Sequence, residues 1–331
     1  MSDVMIQVEN LTKDYGPVRA VDSVSFNVHK GEVLGFLGPN GAGKSTTMKM
    51  LTCFLAPTGG KARVAGMDVF EESLEVRKRI GYLPEDTPIY RDMTVREYLD
   101  FVAEVRGMPR DRREGRIKDI GGRCGLGDVA GKLIGELSKG YRQRVGLAQA
   151  MLHDPDIVIL DEPTSGLDPN QIVEIRDLIK EVGREKTVIL STHILPEVQA
   201  TCSRMIIIAK GKVVADGTPD ELRARERGAR HRVLIEVPKN GAGPVREADA
   251  AALIRERLQT LPGVTRCDAT AGESGVLGFF VYANTEKDVR RDIFEAAVAS
   301  KWTLLELARE SASLEDVFRS LTTTSGEEIR S

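Results

Sequence analysis

The first two thirds of the chain alternate short apolar runs with amphipathic stretches, a pattern typical of α/β proteins. Residues 157–160 are apolar without interruption, as in a central strand that is buried on both faces. Five other runs resemble this one or show the alternation of a half-buried strand. The predicted strands cover residues 4–8, 21–28, 33–37, 157–160, 188–190 and 205–209.

Helical signals lie between these strands. Thr94 and Glu97 form a capping box that starts one helix, and Asp154-Pro155 ends another. The segment 218–221 combines an N-cap threonine, a proline at the first helical position and a capping glutamate. The predicted helices cover residues 45–51, 95–105 and 141–152, with a last short helix from 218. We therefore predict a layered α/β domain over residues 1–228.

An arginine-rich stretch at 223–232 follows and predicts a linker. The arginines could instead contact acidic lipid, but Glu221 and Glu226 interrupt the run, which favours a solvated linker. Beyond it the order is strand, helix, strand, strand, helix, strand and a terminal helix, at residues 233–237, 248–261, 264–269, 276–283, 287–300, 303–307 and 314–321. This split βαβ order predicts a small α+β, ferredoxin-like C-terminal domain over residues 229–331.

The length, charge and cysteine spacing of the chain limit the kinds of protein it can be. The chain has 331 residues and a net charge of -3, so it shows no general attraction to nucleic acid, and no nucleic-acid partner is expected. Its apolar runs are too short to cross a bilayer, and Met1-Ser2-Asp3 lacks the basic start of a secretory signal. The four cysteines lie far apart, which argues against disulfide and zinc sites. We expect a cytoplasmic protein that works at a membrane only through a partner.

Residues 38–46 match the P-loop pattern, with an apolar strand before them and a helix after them. They are Gly38-Pro39-Asn40-Gly41-Ala42-Gly43-Lys44-Ser45-Thr46. Glycines allow successive backbone N–H groups to turn inward around phosphates, and the following helix adds its N-terminal dipole. In such a loop Lys44 reaches the β- and γ-phosphates and the Ser45 hydroxyl binds Mg²⁺. The alternative, a glycine-rich turn without a ligand, is disfavoured by this context.

Asp161 and Glu162 follow the apolar run at 157–160, and ligands bind at the carboxyl ends of parallel strands. Asp161 is therefore the expected Mg²⁺ partner of the P-loop, and Glu162 has the chemistry to orient and deprotonate an attacking water. In isolation, an acidic pair before Pro163 would only cap a strand. His193 follows another apolar strand and could contact a γ-phosphate, although a lone loop histidine is usually structural.

A second anion-binding helix start is predicted within residues 137–144. Ser138 and Gly140 lie at the beginning of a helix, where N–H groups and the helix dipole favour negative charge. Since the P-loop already provides one phosphate site, the second suggests the γ-phosphate of a nucleotide held by another copy. An ordinary capped helix is the alternative. The segment Ser165-Gly166-Leu167-Asp168, taken alone, indicates only a turn.

In this combination and order, the motifs resemble those of the ATP-binding cassette (ABC) family over about the first two thirds of the chain. The resemblance implies a P-loop NTPase cassette with a mixed β-sheet and a helical subdomain. It identifies 38–46 as the Walker A loop and Asp161 with Glu162 as the Walker B pair. The cassette signature corresponds to 137–144, with trans contacts from Ser138, Lys139, Gly140 and Tyr141.

The resemblance also implies roles for single residues. His193 corresponds to the switch histidine, and Tyr15 to the aromatic residue that stacks on adenine. The D-loop corresponds to Ser165, Gly166, Leu167 and Asp168. The family further implies a head-to-tail dimer, with two ATP molecules held between the Walker A loop of one copy and the signature of the other.

Two departures from the family pattern affect the site. Glu85 replaces the usual glutamine of the Q-loop; a carboxylate can still face Mg²⁺ or water but has lost the amide donor. We therefore place Glu85 at both the catalytic and the metal site. Lys139 and Tyr141 replace the commonest signature residues, and Lys139 either adds positive charge near phosphates or points to solvent, which is favoured.

Residues 82–90 and 314–318 look like those of bacterial drug, polysaccharide and gliding-motility-type exporters. This implies an ATP-hydrolysing subunit that drives a separate integral membrane permease, contacts it through residues 86–90, and lies peripherally on the inner face of the membrane. Alternatives are a soluble cassette ATPase acting on ribosomes or DNA, and a GTPase switch. The lack of sustained heptads, of a second P-loop and of an N-K-x-D motif argues against them.

Overall fold

The computed structural model describes residues 4–225, 229–237, 239–240, 243–244, 247–270, 275–283, 288–310 and 314–324. The described residues form two compact units, divided between residues 219 and 220, and residues 318–324 are grouped with the first unit. The predicted domain boundary at 228/229 adjoins residues 226–228, which lie outside the described residues. The boundary therefore stays a prediction.

The first unit contains ten strands among its described residues, and seven helices, with an eighth that starts at the division. The strands are β1 (Val4–Tyr15), β2 (Val18–His29), β3 (Val33–Leu37), β4 (Gly59–Val64), β5 (Met67–Asp68), β6 (Ile80–Leu83), β7 (Ile157–Asp161), β8 (Thr187–Thr192), β9 (Arg204–Ala209) and β10 (Lys212–Gly217). The helices are α1 (Lys44–Leu51), α2 (Ser73–Arg79), α3 (Val95–Val105), α4 (Arg110–Arg123), α5 (Lys139–Met151), α6 (Pro169–Gly183), α7 (Leu195–Thr201) and α8 (Pro219–Arg225). None of the described helices is both long and apolar enough to cross a membrane.

A six-stranded sheet places the sequence motifs at one edge. Its order is β10-β9-β3-β8-β7-β6, and all neighbours are parallel except β9 and β10. Strands β7 and β8 are buried along their whole length, which explains the uninterrupted apolar runs at 157–160 and 188–190. Because β3, β8 and β7 are adjacent and parallel, the P-loop, His193 and Glu162 follow neighbouring strand ends.

An antiparallel sheet of order β2-β1-β4-β5 shares a hydrophobic core with the six-stranded sheet. Phe26 of β2 and Phe36 of β3 are buried with their ring centroids 5.5 Å apart. Helix α1 contributes Met48 and Leu51 to the same core. The strand before the P-loop and the helix after it are therefore both anchored in this core.

Helices α3, α4 and α5 pack on one another and form the predicted helical subdomain. The predicted capping box of α3 is present: the Thr94 N–H donates to the Glu97 carboxylate at 2.8 Å, and the Glu97 N–H donates to Thr94 Oγ1 at 3.2 Å. Helix α5 also lies very close to the chain after β6. A Cβ added at Gly146 would lie only 2.4 Å from Thr87 Cγ2.

The second unit has a four-stranded antiparallel sheet in the order β14-β15-β11-β16, a pattern that fits the predicted ferredoxin-like domain. One face packs on two helices, with Val233, Ile254, Phe279 and Ile293 in the core. The remaining elements are β11 (Ala229–Glu236), β12 (Lys239–Asn240), β13 (Gly243–Pro244), α9 (Glu247–Gln259), β14 (Val264–Thr270), β15 (Val276–Ala283), α10 (Arg290–Ala299), β16 (Leu304–Glu310) and α11 (Leu314–Thr324), and residues 318–324 of α11 are grouped with the first unit.

The prediction of a linker at 223–232 is wrong where the structure describes this stretch. Arg223 lies in α8, and Arg230 and Arg232 lie in β11; Arg227 is outside the described residues. Arg230 pairs with Asp316, and its guanidinium lies 3.9 Å from the centroid of the Phe280 ring. The predicted strand at 233–237 is present but begins earlier, at Ala229. Its first half was missed because Arg230 and Arg232 alternate with the buried His231 and Val233, and the charges concealed this period of two.

Gly81 of β6 marks a contact that leaves no room for a side chain. A Cβ there would lie 2.2 Å from the Ala150 carbonyl oxygen of α5. We predict that Gly81→Ala lowers the free energy of unfolding by about 1–3 kcal/mol, the usual cost of overpacking. The measurement is the midpoint of the urea unfolding transition of the first unit.

Gly115 provides the matched control, because nothing lies within 4 Å of a Cβ added there in α4. Gly115→Ala should raise the free energy of unfolding by about 0.5–1 kcal/mol, since alanine is the better helix residue. Equal midpoints for the two variants would contradict the close packing of β6 against α5.

Candidate active site

The loop between β3 and α1 has a backbone that favours glycine. Gly41 and Gly43 have φ angles of 78° and 104°, in the region that side chains disfavour. A Cβ at Gly43 would lie 2.5 Å from the Ala20 carbonyl oxygen, and one at Gly38 would lie 2.4 Å from the Ile208 carbonyl oxygen. The loop therefore lies directly against β2 and β9, and the first N–H groups of α1, which have no partner within the helix, suit an anion.

Lys44 is buried at the base of this loop, with 5 % of its surface exposed. Its Nζ donates to the carbonyl oxygens of Gly38 at 2.8 Å and Pro39 at 3.2 Å, and lies 3.3 Å from Glu162 Oε1. A buried ammonium group needs such partners because losing its water shell is costly. Phosphate oxygens are charged acceptors and could replace these carbonyl oxygens.

Asp161 ends β7 and lies beside Ser45 of the P-loop. The Ser45 hydroxyl donates to Asp161 Oδ1 at 3.1 Å, and the Ser191 hydroxyl donates to the same oxygen. Burial raises the pKa of the Asp161 carboxyl, an effect that the hydrogen bonds from Ser191 and Ser45 oppose. No cluster of three or more His, Cys, Asp or Glu side chains suited to a metal occurs among the described residues. One carboxylate and one hydroxyl fit Mg²⁺, which commonly takes its other ligands from phosphates and water.

Glu162 follows Asp161 with a φ angle of 48°, in the left-handed region. One of its carboxylate oxygens faces Lys44 Nζ at 3.3 Å, and the other lies 2.9 Å from His193 Nδ1. The Glu162 N–H donates to the Ser191 carbonyl oxygen at 3.0 Å. A non-glycine residue in this region costs of order 1–3 kcal/mol and persists only where its surroundings fix it. Such strain is common at functional sites.

A single cavity of about 460 Å³ brings these groups together. Six residues of the P-loop line it, and so do Glu85, Glu162, Ser165 and His193. Its volume is within the range of small-molecule sites. Six residues of the predicted Walker A loop thus line one cavity with the residues predicted for the Q-loop and the switch and with Ser165, the first residue of the predicted D-loop. Asp161 does not line the cavity but accepts a hydrogen bond from Ser45, which does.

The predicted signature residues do not line this cavity. Ser138 caps α5 by accepting the Tyr141 N–H at 3.3 Å, and Ser138, Lys139 and Tyr141 are exposed. Gly140 is buried, and a Cβ there would lie 2.6 Å from Gln171 Cδ. This helix start is therefore presented to the outside, and any phosphate bound there would belong to a site other than the chain's own P-loop.

Lys139 lies against the predicted D-loop. Gly166 has a φ angle of 68°, and a Cβ added there would lie 2.3 Å from Lys139 Nζ. At the end of this loop Asp168 caps α6, with its Oδ1 accepting the Gln171 N–H at 3.0 Å, while Leu167 is half-buried. The signature and the D-loop of one chain are therefore direct neighbours.

Tyr15 is not among the residues that line the P-loop cavity. It ends β1, its side chain is 47 % exposed, and Lys13 Nζ lies 5.5 Å from its ring centroid. An exposed aromatic face is available there for stacking. The contact of Tyr15 with adenine stays a prediction.

Ser191 is a site residue that sequence reasoning missed. It donates to Asp161 and its Oγ accepts the Glu162 N–H at 3.3 Å. In the register of β7 and β8, Asp161 and Ser191 are direct neighbours. A signal existed, because Ser191 follows the apolar run at 188–190 as Asp161 follows 157–160.

Comparison with known proteins identifies the family. Residues 21–165 match the family model described as ABC transporter. The chain is also 34 % identical over 327 residues to the Nod factor export ATP-binding protein I of Paraburkholderia xenovorans, an alignment that covers 97 % of this chain and 98 % of that protein. The chain belongs to the ABC transporter family.

Two further matches cover about two thirds of the chain. The probable multidrug ABC transporter ATP-binding protein YbhF of Escherichia coli is 40 % identical over 224 residues; the match covers 67 % of this chain but spans only 39 % of YbhF. The dimeric post-hydrolysis structure of the ATP-binding cassette MJ0796, bound to ADP and Pi, has a TM-score of 0.60 and 26 % identity over 65 % of this chain and 98 % of that one. The predicted family and P-loop cassette fold are confirmed, and by family the chain is a nucleotide-binding cassette ATPase.

In this cassette, Lys44 is the buried cation nearest to the P-loop carbonyls. We predict that Lys44→Ala weakens ATP affinity about tenfold to a hundredfold, because a charge-assisted hydrogen bond contributes about 1.5–3 kcal/mol. Affinity is measured by calorimetric titration with a non-hydrolysable ATP analogue. Lys49→Ala, in the same helix but outside the cavity, should bind as the wild type does. Wild-type affinity in Lys44→Ala would contradict the phosphate role of the loop.

Proposed function

We propose that this ABC cassette hydrolyses ATP and uses the closure of a head-to-tail dimer to drive a separate membrane permease, as part of an exporter. The observation that carries the proposal is the position of Glu162, which contacts both Lys44 and His193 in the P-loop cavity. The names of the relatives, a Nod factor exporter and a probable multidrug transporter, support export. They do not favour the alternative of a cassette that acts on ribosomes or DNA.

The P-loop would bind the triphosphate through its backbone N–H groups and Lys44. Phosphate oxygens would take the Lys44 ammonium away from the Gly38 and Pro39 carbonyls and from Glu162. Glu162 would then be available to orient a water molecule and accept its proton as the water attacks the γ-phosphorus. The bond to the leaving oxygen of ADP breaks in the same step, which gives ADP and phosphate.

Ser45 and Asp161 would hold Mg²⁺, with Glu85 facing the same cavity. When bound, the ion neutralises charge that develops on the phosphate oxygens. His193 contacts Glu162 at 2.9 Å and can fix the direction of its carboxylate. Tyr15 would stack on the adenine from an exposed position.

A second copy would complete each site. Ser138, Lys139, Gly140 and Tyr141 lie at an outward-facing helix start that cannot serve the chain's own cavity as it stands. In a head-to-tail dimer this helix start would meet the γ-phosphate held by the partner, and the adjoining D-loop would follow it. The dimeric state of the related MJ0796 cassette supports this arrangement.

An apolar groove provides the surface for the permease. Its volume is about 670 Å³, and Phe54, Leu74, Tyr90 and Val105 line it although each is at least 58 % exposed. Tyr90 packs edge-on against Phe101, with ring centroids 5.5 Å apart. Exposed apolar patches of this kind are typical of interaction sites. The groove includes Pro88 and Tyr90 of the predicted contact segment 86–90, and would hold a cytoplasmic helix of the permease at the inner face of the membrane.

We predict that Glu162→Gln keeps ATP affinity but loses at least about a hundredfold in turnover, since a general base contributes about 10²–10⁴-fold. ATP with Mg²⁺ should then trap the dimer, which gel filtration detects as a shift from monomer to dimer. Turnover near the wild-type rate would remove Glu162 from the role of base.

We predict that Tyr90→Ala combined with Phe54→Ser abolishes binding to the permease and leaves the ATPase rate of the isolated chain unchanged. The measurement is co-purification, from detergent-solubilised native membranes, of a protein with several membrane-spanning segments. Phe70→Ser is the control, because Phe70 is 68 % exposed but lies outside the groove. If the control loses the partner as well, or the groove variant keeps it, the groove is not the docking site.

A further inference from the structure

We propose that Glu197 is a positioning residue for ATP hydrolysis, which holds the two chain segments that carry Glu162 and His193 in one arrangement. The inference rests on the proposed function, because it assumes that Glu162 and His193 act in hydrolysis. Glu197 lies in the first turn of α7, does not line the P-loop cavity and is not among the predicted site residues.

The Glu197 carboxylate bridges two threonines with its two oxygens. Its Oε1 accepts the Thr164 hydroxyl at 2.7 Å, and its Oε2 accepts the Thr192 hydroxyl at 3.0 Å. All three side chains are nearly inaccessible, with exposed fractions of 3 % for Glu197, 3 % for Thr164 and 0 % for Thr192. The bridge therefore connects the end of β8 to the turn after β7 inside the protein.

Among the residues described, the buried Glu197 carboxylate has only uncharged hydrogen-bond donors around it. Within the part of the chain that the structure describes, no Lys, Arg or His side chain forms an ion pair with Glu197, and both of its hydrogen-bond donors are neutral hydroxyls. A buried carboxylate without a cation is costly, and an apolar residue is often at least as stable in such a place. A carboxylate can accept one hydrogen bond on each of its two oxygens. An apolar residue accepts none, and glutamine has only one side-chain oxygen.

Each threonine lies within two residues of a side chain that is proposed to act in hydrolysis, Glu162 or His193. Thr164 lies between Glu162 and Ser165, in the turn where the Ser165 N–H donates to the Glu162 carbonyl oxygen at 3.1 Å. Thr192 precedes His193, and its Oγ1 also accepts the Ile194 N–H at 3.1 Å. The bridge thus fixes the turn that keeps Glu162 in its left-handed conformation and the turn that presents His193.

The contact between Glu162 and His193 depends on both turns. The two side chains meet at 2.9 Å although the residues are 31 positions apart, and β7 and β8 deliver them from separate strands. Small displacements of a catalytic group reduce rates strongly, because the reacting geometry tolerates less than about 1 Å of error. Loosening the bridge should therefore lower turnover without affecting the P-loop, which binds the nucleotide.

The test compares Glu197→Gln with the wild type in steady-state ATPase assays. The variant has the same size but offers one acceptor oxygen, so we expect kcat to fall about tenfold while KM for ATP and the melting temperature change little. Thr164→Val should have the same effect, and the double variant should fall no further than the more severe single variant. Thr164→Ser retains the hydroxyl and should restore kcat to within about twofold of the wild type.

Glu185→Gln is the control, because Glu185 is exposed and lies outside both the cavity and the bridge. Wild-type kcat in Glu197→Gln would overturn the inference, as would a parallel loss of kcat, ATP affinity and melting temperature. If Glu197→Gln does not fold, the Thr164→Val and Thr164→Ser pair decides, and equal kcat values would overturn it. An inactive wild type, or an active Glu162→Gln, would instead refute the proposed function.

Discussion

The candidate active site depends on the buried contact between Lys44 and Glu162. Two opposite charges inside a protein are stable only when their remaining hydrogen-bonding groups are also satisfied. Lys44 meets this condition through the carbonyls of Gly38 and Pro39, and Glu162 meets it through His193. The pair therefore connects the P-loop to the ends of β7 and β8. A phosphate can replace the carbonyls and Glu162 as partners of the Lys44 ammonium, and this exchange releases the Glu162 carboxylate.

This contact exists because β3, β8 and β7 are neighbours in a parallel sheet. Their registers place Leu37 beside Thr192 and Asp161 beside Ser191, so the loops that follow begin at one level. The register of such buried strands is strongly specified, because a slip by one residue would turn every apolar side chain to the opposite face of the sheet. Two separate polar contacts then fix the directions of the loops: Ser191 with Asp161, and Glu197 with the two threonines.

The sequence was informative where a signal is local. The P-loop, the capping box at Thr94 and the apolar strand at 157–160 all depend on residues close together in the chain, and the structure contains each of them. Helix α4 was missed because it has few apolar positions, and the first half of β11 because Arg230 and Arg232 alternate there with buried residues. Ser191 could have been found from its place after the apolar run at 188–190, whereas Glu197 acquires its role from tertiary packing, which no spacing along the chain reveals.

The chain at the end of β6 connects the apolar groove with the P-loop cavity, and would couple the proposed docking to ATP hydrolysis. Tyr82 lines the apolar groove, and Glu85, three residues later, lines the P-loop cavity. The Thr87 hydroxyl then donates to Gln143 of α5 at 3.0 Å, and Gly146 leaves no free space between this helix and the segment. Close-packed elements move together because they cannot deform separately. In the proposed transporter, a permease helix that shifts this segment would therefore displace Glu85 and helix α5, which Ser138 caps. In the proposed dimer, one contact would then act on the chain's own nucleotide and on that of its partner.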